Sequence, residues 1–221
     1  RAETLLKRAI QIREAANAPE LGVSLTSLGE LYVGTDRANE ALPLLLRASN
    51  LAEARYGPNA PETTPLLESL ASAYIGTGQY EKAEEIYRRL EKSPSPANKK
   101  NLAYVLLKQK KIDEAESLYQ EQLTELEKSS SKQPEAVVST LRELARISSA
   151  KHDTDAAINY LLRATKILVK SGNAADPEIV SCLTEISSLQ ESRGSRAAAS
   201  RTAQTALSLA RKSYGDKSAE V

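Results

Sequence analysis

Apolar side chains recur in this chain at three- and four-residue intervals over stretches of a dozen or more residues, with short polar segments between them. That spacing places them on one face of an α-helix. The stretches also repeat. Leu28-Gly29-x-x-Tyr32 is followed by Ala41, Leu45 and Ala48, and the order returns as Leu70-Ala71-x-x-Tyr74 with Ala83, Tyr87 and Leu90, a step of 42 residues. A third copy, Leu102-Ala103-x-x-Leu106 with Ala115, Tyr119 and Gln122, follows after only 32. The fourth (Leu144-Ala145-x-x-Ser148, Ala157, Leu161, Ala164) and fifth (Ile186-Ser187-x-x-Gln190, Ala199, Ala203, Ala206) again step by 42. Each copy reads as a helix, a turn and a helix, a unit that cannot bury its apolar face alone and must stack on neighbours.

The residue types have physical reasons. Gly29, Ala71, Ala103 and Ala145 are small where two helices must approach closely, and Tyr80 and Ile112 are large where the second helix begins. Gly78 and Gly194 stand where a left-handed residue ends the first helix; Ala38, Thr154 and Arg196 depart from the large-residue pattern. Pro-Glu at 19–20, 61–62, 134–135 and 177–178 supplies a proline where a missing N–H costs nothing and an acid at the positive helix end, so these pairs are expected to open first helices. Ser93-Pro94-Ser95-Pro96 resembles a linker because a residue before proline leaves helical geometry, and it marks the shortened step. Ala2, Leu6 and Ala9 match a second helix, and Tyr214-Gly215 repeats Tyr56-Gly57, so the array reads as cut at both ends. The expectation is eleven helices and no strand. They divide into an orphan helix at 1–17 and pairs at about 19–57, 61–92, 97–128, 134–172 and 177–215, forming one solenoid over 1–221.

Leu28-Gly29-x-x-Tyr32 with Ala41, Leu45 and Ala48 resembles a tetratricopeptide repeat, and the match extends along essentially the whole chain. The 42-residue step, the Tyr-Gly before a new unit and Glu40-Ala41-Leu42-Pro43-Leu44 with Arg47-Ala48 resemble the longer repeats of kinesin light chains and their bacterial relatives. Armadillo and HEAT repeats have similar periods but fit the small-residue and tyrosine pattern poorly. The resemblance implies an all-α, right-handed α–α superhelix of helix pairs whose function is protein–protein interaction.

Composition narrows this further. Lys and Arg number 30 against 29 Asp and Glu, a net charge of +1, so no global field favours nucleic acid or anionic lipid. No apolar run approaches the ~20 residues that cross a bilayer. The chain starts at Arg1, contains no Met, Phe or Trp, and reads as an excised fragment. One cysteine and no Asn-x-Ser/Thr sequon favour a reducing, cytoplasmic compartment.

Little points to catalysis. There is no phosphate-binding loop and no zinc-type spacing, so no cofactor, metal or enzymatic role is expected. His152, beside Asp153 and Asp155, is expected in a solvated turn, and Cys182 as a packed thiol. Tyr32, Tyr74, Tyr80, Tyr87 and Tyr119 all fall on core positions. Tyr104 does not.

In tetratricopeptide arrays the first helices line a concave groove. Helical spacing aims Thr26, Glu30 and Val33 there, then Glu68, Ser72 and Ile75, then Lys100, Tyr104, Leu107 and Lys108, then Arg142, Arg146 and Ser149, and finally Thr184, Ser188 and Glu191. The groove is thus expected to be acidic or neutral at its ends and basic in the middle. Lys100, Lys108, Arg142 and Arg146 are placed to hold carboxylates, and Tyr104 and Leu107 to accept an apolar side chain. An acidic peptide with one hydrophobic anchor is the expected partner; kinesin light chains as a family bind acidic peptides bearing an aromatic residue. The lysine–asparagine clamp for chaperone tails does not carry over, since Lys100 and Asn101 are adjacent here. The alternative function is a structural spacer or self-assembling array, because cut ends would expose apolar faces.

Overall fold

The computed structural model describes residues 1–58, 60–90, 96–129, 133–171 and 177–214. Among these are eleven α-helices, one short 3-10 turn and no strand. The orphan helix is α1 (Ala2–Ala15). It is followed in chain order by α2 (Leu21–Val33), α3 (Ala38–Tyr56), α4 (Thr64–Gly76), α5 (Tyr80–Leu90), α6 (Pro96–Lys108), α7 (Ile112–Lys128), α8 (Pro134–Ala150), α9 (Thr154–Lys170), α10 (Pro177–Ser192) and α11 (Arg196–Tyr214). The all-α expectation and the order of the elements are met. Ser93, Pro94 and Ser95 lie outside the described residues, and Pro96 opens α6. The chain divides into two compact units, residues 1–115 and 116–221.

All five second helices begin at the same repeat position, and one backbone device precedes each of them. Asp36, Gly78, Lys110, His152 and Gly194 have φ between 57° and 81°, two residues before Ala38, Tyr80, Ile112, Thr154 and Arg196. The residue after each donates its N–H to a carbonyl five residues back: Arg37 to Tyr32, Gln79 to Tyr74, Asp153 to Ser148 and Ser195 to Gln190, all at 2.8 Å, and Lys111 to Leu106 at 2.9 Å. This left-handed cap satisfies carbonyls that the ending helix leaves without partners. Glycine holds the position in two of the five copies, and three pay the left-handed penalty of a side chain.

The Pro-Glu pairs behave less uniformly. Pro134 and Pro177 are the first residues of α8 and α10. Pro61-Glu62-Thr63 instead forms the 3-10 turn ahead of α4, in which Pro65 takes an early helical position. Pro19-Glu20 stops just short of α2, with the Leu21 N–H turning back to the Ala18 carbonyl at 3.1 Å.

In the first unit α2 packs on α3, α3 on α4, α4 on α5 and α5 on α6. Leu25, Leu28, Ala41, Leu45, Ala48, Leu70, Ala71, Ala83 and Tyr87 are buried. The contact between α2 and α3 is close: a Cβ on Gly29 would stand 2.6 Å from Leu45 Cγ. Ala38 is small because Gly76 of α4 presses on it, and a Cβ there would lie 2.6 Å from that of Ala38. The orphan α1 buries no residue and is held by polar contacts. Glu3 accepts from Lys7 (2.7 Å), Tyr32 Oη (2.8 Å) and Arg37 (2.9 Å), and the Arg37 guanidinium lies 4.1 Å from the Tyr32 ring centroid. Hydrogen bonds from Arg37, Lys7 and Tyr32 hold the Glu3 carboxyl well below the usual carboxylate range. In the second unit α8 packs on α9, α9 on α10 and α10 on α11, around Leu141, Leu144, Ala157, Leu161, Ile179 and Ile186. Of the five repeat tyrosines, Tyr32, Tyr74, Tyr87 and Tyr119 are buried; Tyr80 is half-buried.

Candidate partner-binding surfaces

Placing the core positions inward leaves the first-helix residues singled out from spacing unburied. Lys100, Tyr104 and Lys108 on α6 are exposed and Leu107 is half-buried. Tyr104 is 41% exposed, and the Lys108 ammonium stands 5.2 Å from its ring centroid, a cation–aromatic pair on the surface.

The two arginines of α8 differ. Arg146 is exposed, with Glu143 at 3.2 Å on its own helix. It also lines an open cleft of about 290 Å³ in the second unit with Ser149, Leu161, Glu185, Ser188 and Leu189. Arg142 reaches from α8 to α10. Its guanidinium meets Glu178 at 3.1 Å, Ser181 at 3.2 Å and Glu185 at 2.7 Å, and its side chain is 21% exposed. The carboxylates expected of a partner are therefore supplied to Arg142 from within. Spacing along α8 could not reveal this, because the acids lie on another helix.

Sequence reasoning missed a larger cleft in the first unit, about 400 Å³, between α2 and α4 with α3 as its floor. Val23 (63% exposed), Leu51 (41%) and Tyr56 (48%) form its apolar wall with Pro19 and Pro65, over buried Ala48 and Leu66. Thr26, Glu30, Arg55 and Glu62 supply the polar groups. Thr26 and Glu30 were on the predicted groove face. Val23, one turn before Thr26, continues that face, but Leu51 and Tyr56 come from α3 beyond the last core alanine of their repeat, so only tertiary packing assembles the wall. An apolar residue beyond Ala48 was the available signal.

The residues weighed for catalysis are engaged separately. His152 is the left-handed turn residue, Asp153 caps α9 by accepting the Ala156 N–H at 3.0 Å, and Asp155 pairs with Arg193. Cys182 is buried, and burial pushes its thiol up to about 11, away from the thiolate that nucleophilic chemistry needs. Among the described residues no group of three or more His, Cys, Asp or Glu side chains is gathered as metal ligands, and no helix is long and apolar enough to cross a membrane.

Successive helices that pack on one another within each unit, with one left-handed cap before every second helix, define a helical-repeat scaffold. The tetratricopeptide repeat model matches residues 20–92 and 95–170, most of the chain, and the protein belongs to the tetratricopeptide repeat family. Solved structures agree on the fold. The nearly identical TPR-like repeats of a kinesin light chain candidate from Podosopora anserina align at 20% identity over 90% of this chain and 99% of that one, with a TM-score of 0.76. BtubC (BKLC) from P. vanneervenii aligns at 20% identity over 98% and 91%, with a TM-score of 0.73. YrrB, a TPR protein with an unusual peptide-binding site, aligns at 12% identity over 93% and 92%, with a TM-score of 0.60. Among curated proteins no sequence matches. The kinesin light chain-like character read from the 42-residue step is thus matched in the fold. Tetratricopeptide repeats are generally non-catalytic scaffolds for protein or peptide partners.

Proposed function

We propose that this chain captures a segment of another protein on the exposed faces of its first helices, and that α6 receives an acidic stretch with one apolar anchor. The observation that carries the reading is the exposed Tyr104 ring with the Lys108 ammonium at 5.2 Å. Neither side chain is needed by the core, and together they offer an aromatic face and a cation with Leu107 and Lys100 on the same helix. In the second unit Arg146 is the cation of α8 placed at an open cleft. Arg142 contributes differently, since a partner carboxylate would have to displace Glu178 or Glu185 from it.

The test is fluorescence polarisation with a labelled acidic peptide carrying one central tryptophan. Binding should weaken with salt, and Lys100→Glu with Lys108→Glu should lower affinity by roughly tenfold or more while the melt stays within about 0.5 kcal/mol of wild type. Equal affinity of the double variant at low salt would reject the α6 face; Arg146→Glu asks the same of α8 separately.

Self-association is supported by a separate feature, Leu5 and Ile12, seven residues apart on α1 and both exposed (62% and 60%). Sedimentation of wild type beside Leu5→Ser/Ile12→Ser decides it: equal mass for the two proteins across concentrations rejects this reading.

A further inference from the structure

Thr26 and Arg142 occupy the same place in the repeat, 116 residues apart, and the same offset relates Glu62 to Glu178, Glu30 to Arg146 and Ser69 to Glu185. In the second unit the Arg142 guanidinium bridges α8 and α10, held by Glu178 and Glu185. In the first unit the corresponding seam, between α2 and α4, has no such cation. Thr26 is too short to cross it, and its hydroxyl donates back to the Gly22 carbonyl at 2.9 Å. Among the described residues exposed Glu62 forms no ion pair, and Glu30 takes the Ser69 hydroxyl at 2.8 Å in place of a cation. Arg55, the basic residue of the lining, is turned elsewhere: it lies 5.1 Å from the Tyr56 ring centroid and donates to the Pro19 carbonyl at 3.4 Å. The first-unit seam is left with two acids facing an apolar wall.

We propose that the cleft between α2 and α4 is a docking site for a partner segment that brings a lysine or arginine to Glu62 and Glu30 and a neighbouring bulky apolar side chain to the Val23, Leu51 and Tyr56 wall. The guest cation takes the place that Arg142 fills in the second unit. About 400 Å³ accommodates one large side chain with its flanking backbone. The cleft is preformed, because α2 and α4 both pack on α3 and Arg55 ties the end of α3 to the loop before α2. Little of the interaction is therefore spent on ordering it. This site rests on the reading of the chain as a partner-capturing scaffold, but not on the α6 face.

The repeat itself suggests how to plug it. Thr26→Arg rebuilds the second-unit seam and provides Glu62 with an internal partner. Gly22→Leu fills the cleft from its side: a Cβ at Gly22 meets no atom within 4 Å, and its helical backbone accepts any residue. A random dodecapeptide phage library panned on the 221-residue chain supplies the probes, and the enriched peptides are measured by fluorescence polarisation. Enriched peptides should carry Lys or Arg within a few residues of a bulky apolar side chain. Each plug should weaken them by roughly tenfold or more without lowering the melt, and Glu62→Gln should weaken them severalfold at low salt and little at high salt.

Peptides that bind both plugged variants as tightly as wild type, or that carry acidic in place of basic residues, overturn the site. Sensitivity to Lys108→Glu with indifference to the plugs keeps the α6 reading and rejects this one. The reverse pattern keeps this site and rejects α6. No enrichment over the bare support rejects both.

Discussion

In the first unit α2 and α4 flank an open cleft with an apolar wall and two acids, whereas in the second unit the equivalent helices, α8 and α10, are joined through one arginine to two carboxylates and a hydroxyl. The repeat positions are the same, but threonine against arginine, with Glu30 against Arg146 and Ser69 against Glu185, separates a seam left unbridged from one that an arginine spans. The helix pairs differ in the same spirit. Gly29 lets α2 settle against Leu45, while α8 carries Ala145 at the corresponding position, opposite Leu161. Stacked copies of one unit can thus share a backbone plan and diverge in what they offer a partner, because each seam is decided by a few side chains that the plan does not specify.

The comparison is most easily broken at Arg142. Arg142→Glu places a third carboxylate beside partly buried Glu178 and Glu185, and should destabilise the chain by about 2–3 kcal/mol in urea melts; Thr26→Glu, at the open seam, should cost less than about 1 kcal/mol. Equal effects would mean that the second seam is not held by its ion pairs.

Next in size is Gly29→Ala. It improves helix propensity but drives a methyl to within 2.6 Å of Leu45 Cγ, so a net loss of about 1–2 kcal/mol is expected. A gain in denaturant midpoint would show that α2 and α3 have room to part.

His152→Gly should act in the other direction, stabilising the second unit by about 1 kcal/mol, since φ is 62° there and glycine already serves at Gly78 and Gly194. Differential scanning calorimetry would register it as a rise of a few degrees in Tm.

The smallest effect concerns acid. Burial raises the Glu84 pKa, but hydrogen bonds from Lys111, Arg88 and Gln109 outweigh it and leave the carboxyl below its ordinary value. Because the folded-state pKa is the depressed one, its contribution is complete above the unfolded value near ~4.3 and is lost as pH falls through the folded value. Glu84→Gln should therefore lower stability at pH 7 by about 1 kcal/mol or less and flatten the decline below about pH 4. A variant whose acid limb runs parallel to wild type would place that decline elsewhere.

Repetition made most of the fold legible. A single periodic stretch such as 80–90 says only that a helix forms, but five copies of one spacing specify which face is buried and where the second helices start, and the structure follows that plan from Ala38 to Arg196. One departure from pattern acquired its cause only in three dimensions: Ala38 is small because Gly76 meets it.

The candidate surfaces were legible in part. Spacing identified exposed Tyr104 and Lys108 correctly, because exposure on a helix follows from the three- and four-residue period alone. It could not tell that Arg142 is occupied, nor that Val23, Leu51 and Tyr56 come together.

By itself the sequence determined the all-α class, the order of the helices and the membership in a repeat family, since these depend on periodicity, small residues and turn chemistry within about forty residues. Only the tertiary structure decided which charges are free and where the surface is hollow. The physical reason is that an ion pair such as Arg142 with Glu185, or the wall between Val23 and Tyr56, joins residues of different helices, and distances of a few ångströms between helices are not written in the spacing along any one of them.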